Sequence, residues 1–140
     1  MDFQPSDRAR QTAQRVRQFI QTHIEPVEKE HWEGILAQRH GGDWTQWKIP
    51  PRVEALKAKA KAEGLWNLFL PDPELGAGLS VLDYAFSAEE TGRSMMAPEI
   101  FNCNAPDSGN MEVLWKYGSD EQKEKWLKPL LAGDIRSVFF

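Results

Sequence analysis

The sequence predicts an all-α domain. Three observations carry that prediction: apolar residues recur at steps of three and four, most such stretches open on a capping residue and close on glycine, and residues suited to a strand gather only after Gly133. At 140 residues, with 41% apolar and 27% charged, the chain suits one ordinary soluble domain.

The first helix is expected near residues 6–25. Ser6 is its N-cap, Asp7 complements the dipole, and Ala9, Ala13, Val16, Ile20 and Ile24 with Phe19 form one apolar face. Pro26 should end or kink it. From Val27 to His40 the pattern fades into charge, and Gly41-Gly42-Asp43 reads as a loop. A second helix, residues 51–63, starts on Pro51, turns Val53, Leu56 and Ala60 inward and stops at Gly64. Leu65–Leu70 is a short apolar run destined for burial, and the Pro- and Gly-rich stretch from Pro71 to Leu79 is loop. Ser80 with Asp83 resembles a capping box for a third helix, residues 80–92, with Val81, Leu82, Ala85, Phe86 and Ala88 as its buried set. Met95–Pro106 is mixed. A fourth helix, residues 108–117, carries Met111, Leu114 and Trp115 behind Asp107 or Ser108 as cap. Ser119 and Gln122 form a second capping box for a fifth helix, residues 119–131, whose inner face is Trp126, Leu127, Leu130 and Leu131, with a bend at Pro129. Residues 135–140, Ile-Arg-Ser-Val-Phe-Phe, suit a strand, and a lone strand after a helical domain implies that its partners belong to sequence beyond residue 140.

Composition excludes several functions. A net charge of −4 gives no electrostatic reason to bind nucleic acid, and no run approaches the roughly 18 apolar residues of a membrane span. The N-terminus lacks the basic start and apolar run of a secretory signal. Arg8, Arg10, Arg15 and Arg17 resemble a transit peptide, but Asp2, Asp7 and the helical pattern favour an ordinary helix. One cysteine makes no internal disulfide, which fits a reducing compartment. His23, His31 and His40 lack metal spacing, so no metal site is expected. Gly76-Ala77-Gly78 reads as a turn. Of Glu89 and Glu90, which point about 100° apart on a helix, one should be exposed and the other bonded to a neighbouring helix. Cys103 reads as a buried structural thiol. No catalytic constellation is visible. Six Trp in the chain, among them Trp32, Trp44 and Trp47, leave open a free-standing helical module that docks a partner.

The segment from Ala97 to Leu114, APEIFNCNAPDSGNMEVL, resembles the acyl-CoA dehydrogenase family, closest to the branch of animal family members ten and eleven and their bacterial relatives. Tyr117–Lys123 and Trp126–Arg136 look like the end of that family's N-terminal helical domain, and Gly64–Pro71 and Gly76–Ser80 also fit. The resemblance implies residues 1–134 as the N-terminal α-domain and 135–140 as the first residues of a middle β-domain. It also implies an FAD enzyme that converts acyl-CoA thioesters to trans-2-enoyl products, with electron-transfer flavoprotein as acceptor and a homo-oligomeric full-length form. An acyl-CoA oxidase shares this architecture. The implied location is the cytoplasm of a bacterium, or the mitochondrion or peroxisome of a eukaryote. Phe139 and Phe140 match the start of the strand lining the flavin, and Phe101, Asn102, Ala105 and Pro106 match the wall of the acyl pocket. No catalytic residue is carried over, since the family's flavin signature and catalytic carboxylate are expected beyond Phe140.

Overall fold

The computed structural model describes residues 3–39 and 42–140. Met1, Asp2, His40 and Gly41, which entered the readings of the N-terminus, the histidine spacing and the first loop, lie outside the described residues.

Helix α1 (Asp7–Phe19) opens as expected, with Ser6 Oγ accepting the Ala9 N–H at 3.1 Å. It does not end at Pro26. The chain passes through a π-turn (Ile20–Ile24) straight into α2 (Glu25–Arg39). In that turn the Glu25 N–H bonds the Ile20 carbonyl five residues back. The wider ring gives the pyrrolidine room, so the missing donor of Pro26 is absorbed without a break. Ala9, Val16, Phe19, Ile20 and Ile24 are buried, as the periodicity predicts.

A single 3₁₀ turn (Trp44–Gln46), capped by Asp43, leads to α3 (Pro51–Ala62), where Val53, Ala60 and the stem of Lys57 turn inward. Gly64 closes α3 at φ +66°, where a side chain is strained. Leu65–Leu70 forms irregular turns, and within it Leu65, Leu68, Phe69 and Leu70 are all buried.

Helix α4 (Val81–Thr91) is capped by Ser80, but the box is half-made: the Asp83 carboxylate accepts the Ser6 N–H at 3.1 Å instead of reaching back to Ser80. Its buried face also differs from expectation. Val81 is 75% exposed, and Leu82 and Ala85 face outward, whereas Ser87, Glu90 and Thr91 are buried and Tyr84 partly so. The reason lies in α1. Arg17 forks onto Glu90 at 2.5 and 2.9 Å, and Arg93 adds a contact at 3.0 Å, which turns the polar stripe of α4 toward α1. Glu89 is exposed, so the pair divides as the helical geometry requires.

A short helix, α5 (Ala97–Ile100), lies in the segment read as mixed. Ser94 Oγ accepts the N–H groups of Met96 and Ala97, and Glu28 holds that hydroxyl from α2 at 2.8 Å. After a cis Ala105–Pro106 bond, α6 (Asp107–Tyr117) starts with no side-chain cap, so neither Asp107 nor Ser108 caps it. Helix α7 (Asp120–Gln122) has the complete Ser119–Gln122 box. A second π-turn (Lys123–Leu127) precedes α8 (Lys128–Ala132), and Gly133 at φ +79° stops it. Pro129 stands two residues past its π-turn, the same register as Pro26. That turn also rotates the apolar stripe: Leu127, Leu130 and Leu131 are buried, but Trp126 is 41% exposed beneath Lys125 and is no core anchor.

Among the described residues there is no strand. Residues 135–140 are irregular, because extended backbone becomes a strand only when a neighbouring chain satisfies its N–H and C=O groups. The core has two parts. One gathers Phe19, Ile24, Val53, Leu65, Ile100 and Phe101; the other gathers Phe69, Leu70, Met111, Leu127 and Leu130. Leu68 and Phe69 join them.

Candidate functional site

Phe101 and Asn102 lie inside the domain. Phe101 is fully buried and meets Phe19 edge-on at 5.3 Å between ring centres. Asn102 takes φ +55°, a conformation Asn tolerates, and its Nδ2 donates to Asn67 Oδ1 at 2.7 Å and to the Leu130 carbonyl at 3.1 Å. Asn67 Nδ2 and Trp66 Nε1 both donate to the Leu131 carbonyl, at 3.0 and 2.7 Å. These bonds tie the turns after α3 and after α5 to the carbonyl end of α8. Within this domain both residues support the wall from behind.

Ala105 is exposed, and Pro106 opens onto a cleft of about 530 Å³ whose walls include Trp32, Trp47, Ile49, Val53 and Ser137. The lining is mainly apolar, as small-molecule sites are.

One wall of the cleft is a chain of charges. Asp107, 1% exposed, accepts the Ser137 N–H and Oγ–H, each at 2.6 Å, and pairs with Arg136 Nε at 2.6 Å. The far side of the Arg136 guanidinium pairs with Glu99, which Lys57 Nζ reaches at 2.5 Å and Asn104 Nδ2 at 3.0 Å. Positive and negative groups alternate from α3 through α5 to the final segment and α6. Burial acts to raise the Glu99 pKa, but the bonds from Arg136 and Lys57 outweigh it and hold the carboxyl below its usual range. Burial likewise opposes the charge of Arg136, and the two carboxylates override it, so its pKa is raised.

This network brings the two predicted groups of residues together. Asp107 follows Pro106 directly, and Ser137, which it holds, stands two residues before Phe139. Phe139 and Phe140 themselves are exposed and touch no wall of the cleft. The spacing arguments missed Lys57, Glu99, Asp107 and Arg136 as a unit. Their partners lie 29 to 42 residues apart, and the only local signal, Asp107 before a helix, reads as a cap.

Other reactive groups are muted. Burial pushes the Cys103 thiol up, and the Tyr84 phenol beside it is raised by burial and by the nearby thiol. Burial lowers the His31 pKa, with Arg52 adding to the effect. Among the described residues no three metal-ligating side chains come together, and no helix is long and apolar enough to cross a membrane.

An all-α domain with an apolar cleft beside an outgoing aromatic segment is a domain that offers one wall of a site. Residues 6–134 match the family model described as acyl-CoA dehydrogenase, N-terminal domain, and the chain belongs to that family. It is 53% identical over 137 residues to acyl-CoA dehydrogenase family member 11 of Gallus gallus, covering 98% of this chain and 17% of that protein. Family member 10 of Mus musculus is 50% identical over 139 residues, covering 96% of this chain and 12% of its own length. A solved structure from Mycobacterium abscessus, named a "putative acyl-CoA dehydrogenase", superposes with a TM-score of 0.85 at 58% identity, covering 95% of this chain and 33% of that one. The chain therefore spans a third or less of the relatives it matches.

Proposed function

We propose that the chain acts as the N-terminal α-domain of an FAD-dependent acyl-CoA dehydrogenase, supplying part of the acyl-pocket wall and a packing face but no catalytic base. In this reading residues 1–134 form the helical domain and 135–140 enter a middle β-domain. The observation that carries it is the Asp107–Ser137 junction, which sets the Ala105–Pro106 turn and the Phe139–Phe140 segment side by side at an apolar cleft.

Phe139 and Phe140 offer exposed aromatic faces that suit one edge of an isoalloxazine. Arg136, the nearest cation in sequence, is committed to Glu99 and Asp107, and the Gly76–Gly78 turn is closed against Leu70 and Pro73. This chain thus fits an edge of a flavin site, and the groups that hold the cofactor's phosphates belong to the rest of the enzyme. When bound, the flavin supplies the acceptor for the hydride leaving Cβ. The residues here exclude water: Trp32, Trp47, Val53 and Pro106 give an apolar wall against which an acyl chain loses little by desolvation. Glu99 and Asp107 are saturated with donors and serve structure.

Acyl-CoA substrate, electron-transfer flavoprotein as acceptor, a homo-oligomeric full-length enzyme, a role in fatty-acid β-oxidation and a bacterial cytoplasmic, mitochondrial or peroxisomal location all belong to this proposal. The test compares the 140-residue chain with a form extended through the β-domain and C-terminal bundle. Visible flavin absorbance and anaerobic dye reduction are measured with a panel of acyl-CoAs. A colourless short chain beside a yellow, active long one is expected. Rapid peroxide formation in air would assign the oxidase instead, and a long form that never turns yellow would refute both.

A further inference from the structure

We infer that Asp107 and Arg136 are positioning residues that fix the direction and side-chain phase with which Val138–Phe140 leave the helical domain. This rests on the proposed function for its meaning, and on geometry for its substance. Asp107 is buried at the first turn of α6, yet it does not cap that helix. Its Oδ1 takes both the N–H and the hydroxyl of Ser137, while Oδ2 pairs with Arg136, so one carboxylate grips two consecutive residues. Asn110 Nδ2 holds the same hydroxyl at 2.8 Å from one turn further along α6. Arg136 is gripped a second time by Glu99, which Lys57 anchors to α3.

Burying such charges is costly, and an apolar packing of equal volume would stabilise the fold at least as well. What the charges provide is geometry. A guanidinium fork between two carboxylates accepts one orientation, and a gripped backbone N–H accepts one register. In extended chain, side chains alternate, and a slip of one residue exchanges the faces. Holding Ser137 therefore puts Phe139 on the α6 side and turns Val138 and Phe140 away from it. Nothing else among the printed contacts restrains these three residues, which are exposed.

The test reads amide exchange of the 140-residue chain residue by residue, in the wild type, Asp107→Ala, Asp107→Asn and Arg136→Lys. The Ser137 amide should be protected in the wild type. Asp107→Ala should cost at least tenfold of that protection while the amides of Val16 and Ser87 keep theirs. Asp107→Asn, which retains an acceptor oxygen, should restore part of it, and Arg136→Lys should weaken it without abolishing it. In the extended enzyme, Asp107→Asn should alter the visible absorbance envelope of the flavin, whereas Leu36→Ala, on an exposed face, should leave it unchanged. Equal exchange of Ser137 in the wild type and Asp107→Ala, with the core intact, overturns the inference. An extended wild type that binds no flavin defeats the dehydrogenase reading alone, because the exchange result stands without it.

Discussion

Replacing Asn102 by Ala removes the most heavily used side-chain amide in the core. Its Nδ2 bonds to Asn67 Oδ1 and the Leu130 carbonyl are both buried, so truncation leaves two acceptors without these donors. Each lost bond costs about 1–1.5 kcal/mol, with more for stranded buried acceptors. The backbone adds to this, since φ is +55° and Ala tolerates the left-handed region less well than Asn, by roughly 1 kcal/mol. The sum is about 3–4 kcal/mol, or on the order of 10 °C in Tm for a domain of this size. Asn102→Gly separates the parts: it loses the same bonds but relaxes the backbone, so it should melt above Asn102→Ala. Asn102→Asp keeps the shape, turns a donor into an acceptor facing two oxygens, and should be at least as destabilised as Ala. Chemical denaturation of the four proteins decides it. An Asn102→Ala variant within about 1 kcal/mol of the wild type, far below the cost of two buried bonds, would refute the reasoning and return Asn102 to the role of a direct pocket contact.

Leu127→Ala should destabilise the chain by about 2–5 kcal/mol, as buried Leu truncations do, while Trp126→Ala should cost well under half as much; the two unfolding midpoints compare them directly. Gly133→Ala would place a Cβ 2.8 Å from the Trp66 ring at φ +79°, and a loss of about 2 kcal/mol is expected by thermal melting. The hydrogen bond from Arg17, then its charge, holds the Glu90 carboxyl below its usual pKa against the opposing effect of burial. Its stabilising contribution is therefore complete above the unfolded-state pKa and lost as pH falls through the lower native value. Stability measured from neutral pH into the acid range should fall less steeply in Glu90→Gln than in the wild type.

The sequence speaks clearly where structure is local. Ser6, Ser80 and Ser119 cap helices at the positions their spacing indicates, Gly64 and Gly133 stop them in the left-handed region, and Leu65–Leu70 is buried as its composition demands. It speaks less clearly where a neighbour decides. Pro26 marks a helix end to any local rule, yet a π-turn absorbs it; the second π-turn likewise carries Trp126 off the apolar stripe. Val81, Leu82 and Ala85 form a plausible inner face until Arg17 on α1 claims Glu90 from the opposite side. The candidate site divides in the same way. Pro106 is found at a cleft and Phe101 and Asn102 behind it, but the network that assembles the site depends on an approach of residue 137 to residue 107 that no spacing encodes.

The most direct test of the central claim follows the substrate. The extended enzyme, freed of oxygen and given an artificial electron acceptor, is incubated with saturated acyl-CoA thioesters, and the thioester pool is analysed by mass spectrometry. The proposed function predicts trans-2-enoyl-CoA, two hydrogens lighter than its parent, formed in step with acceptor reduction and absent when the 140-residue chain is used alone. A yellow extended protein that returns every acyl-CoA unchanged, or a 140-residue chain that makes the enoyl product unaided, would contradict it.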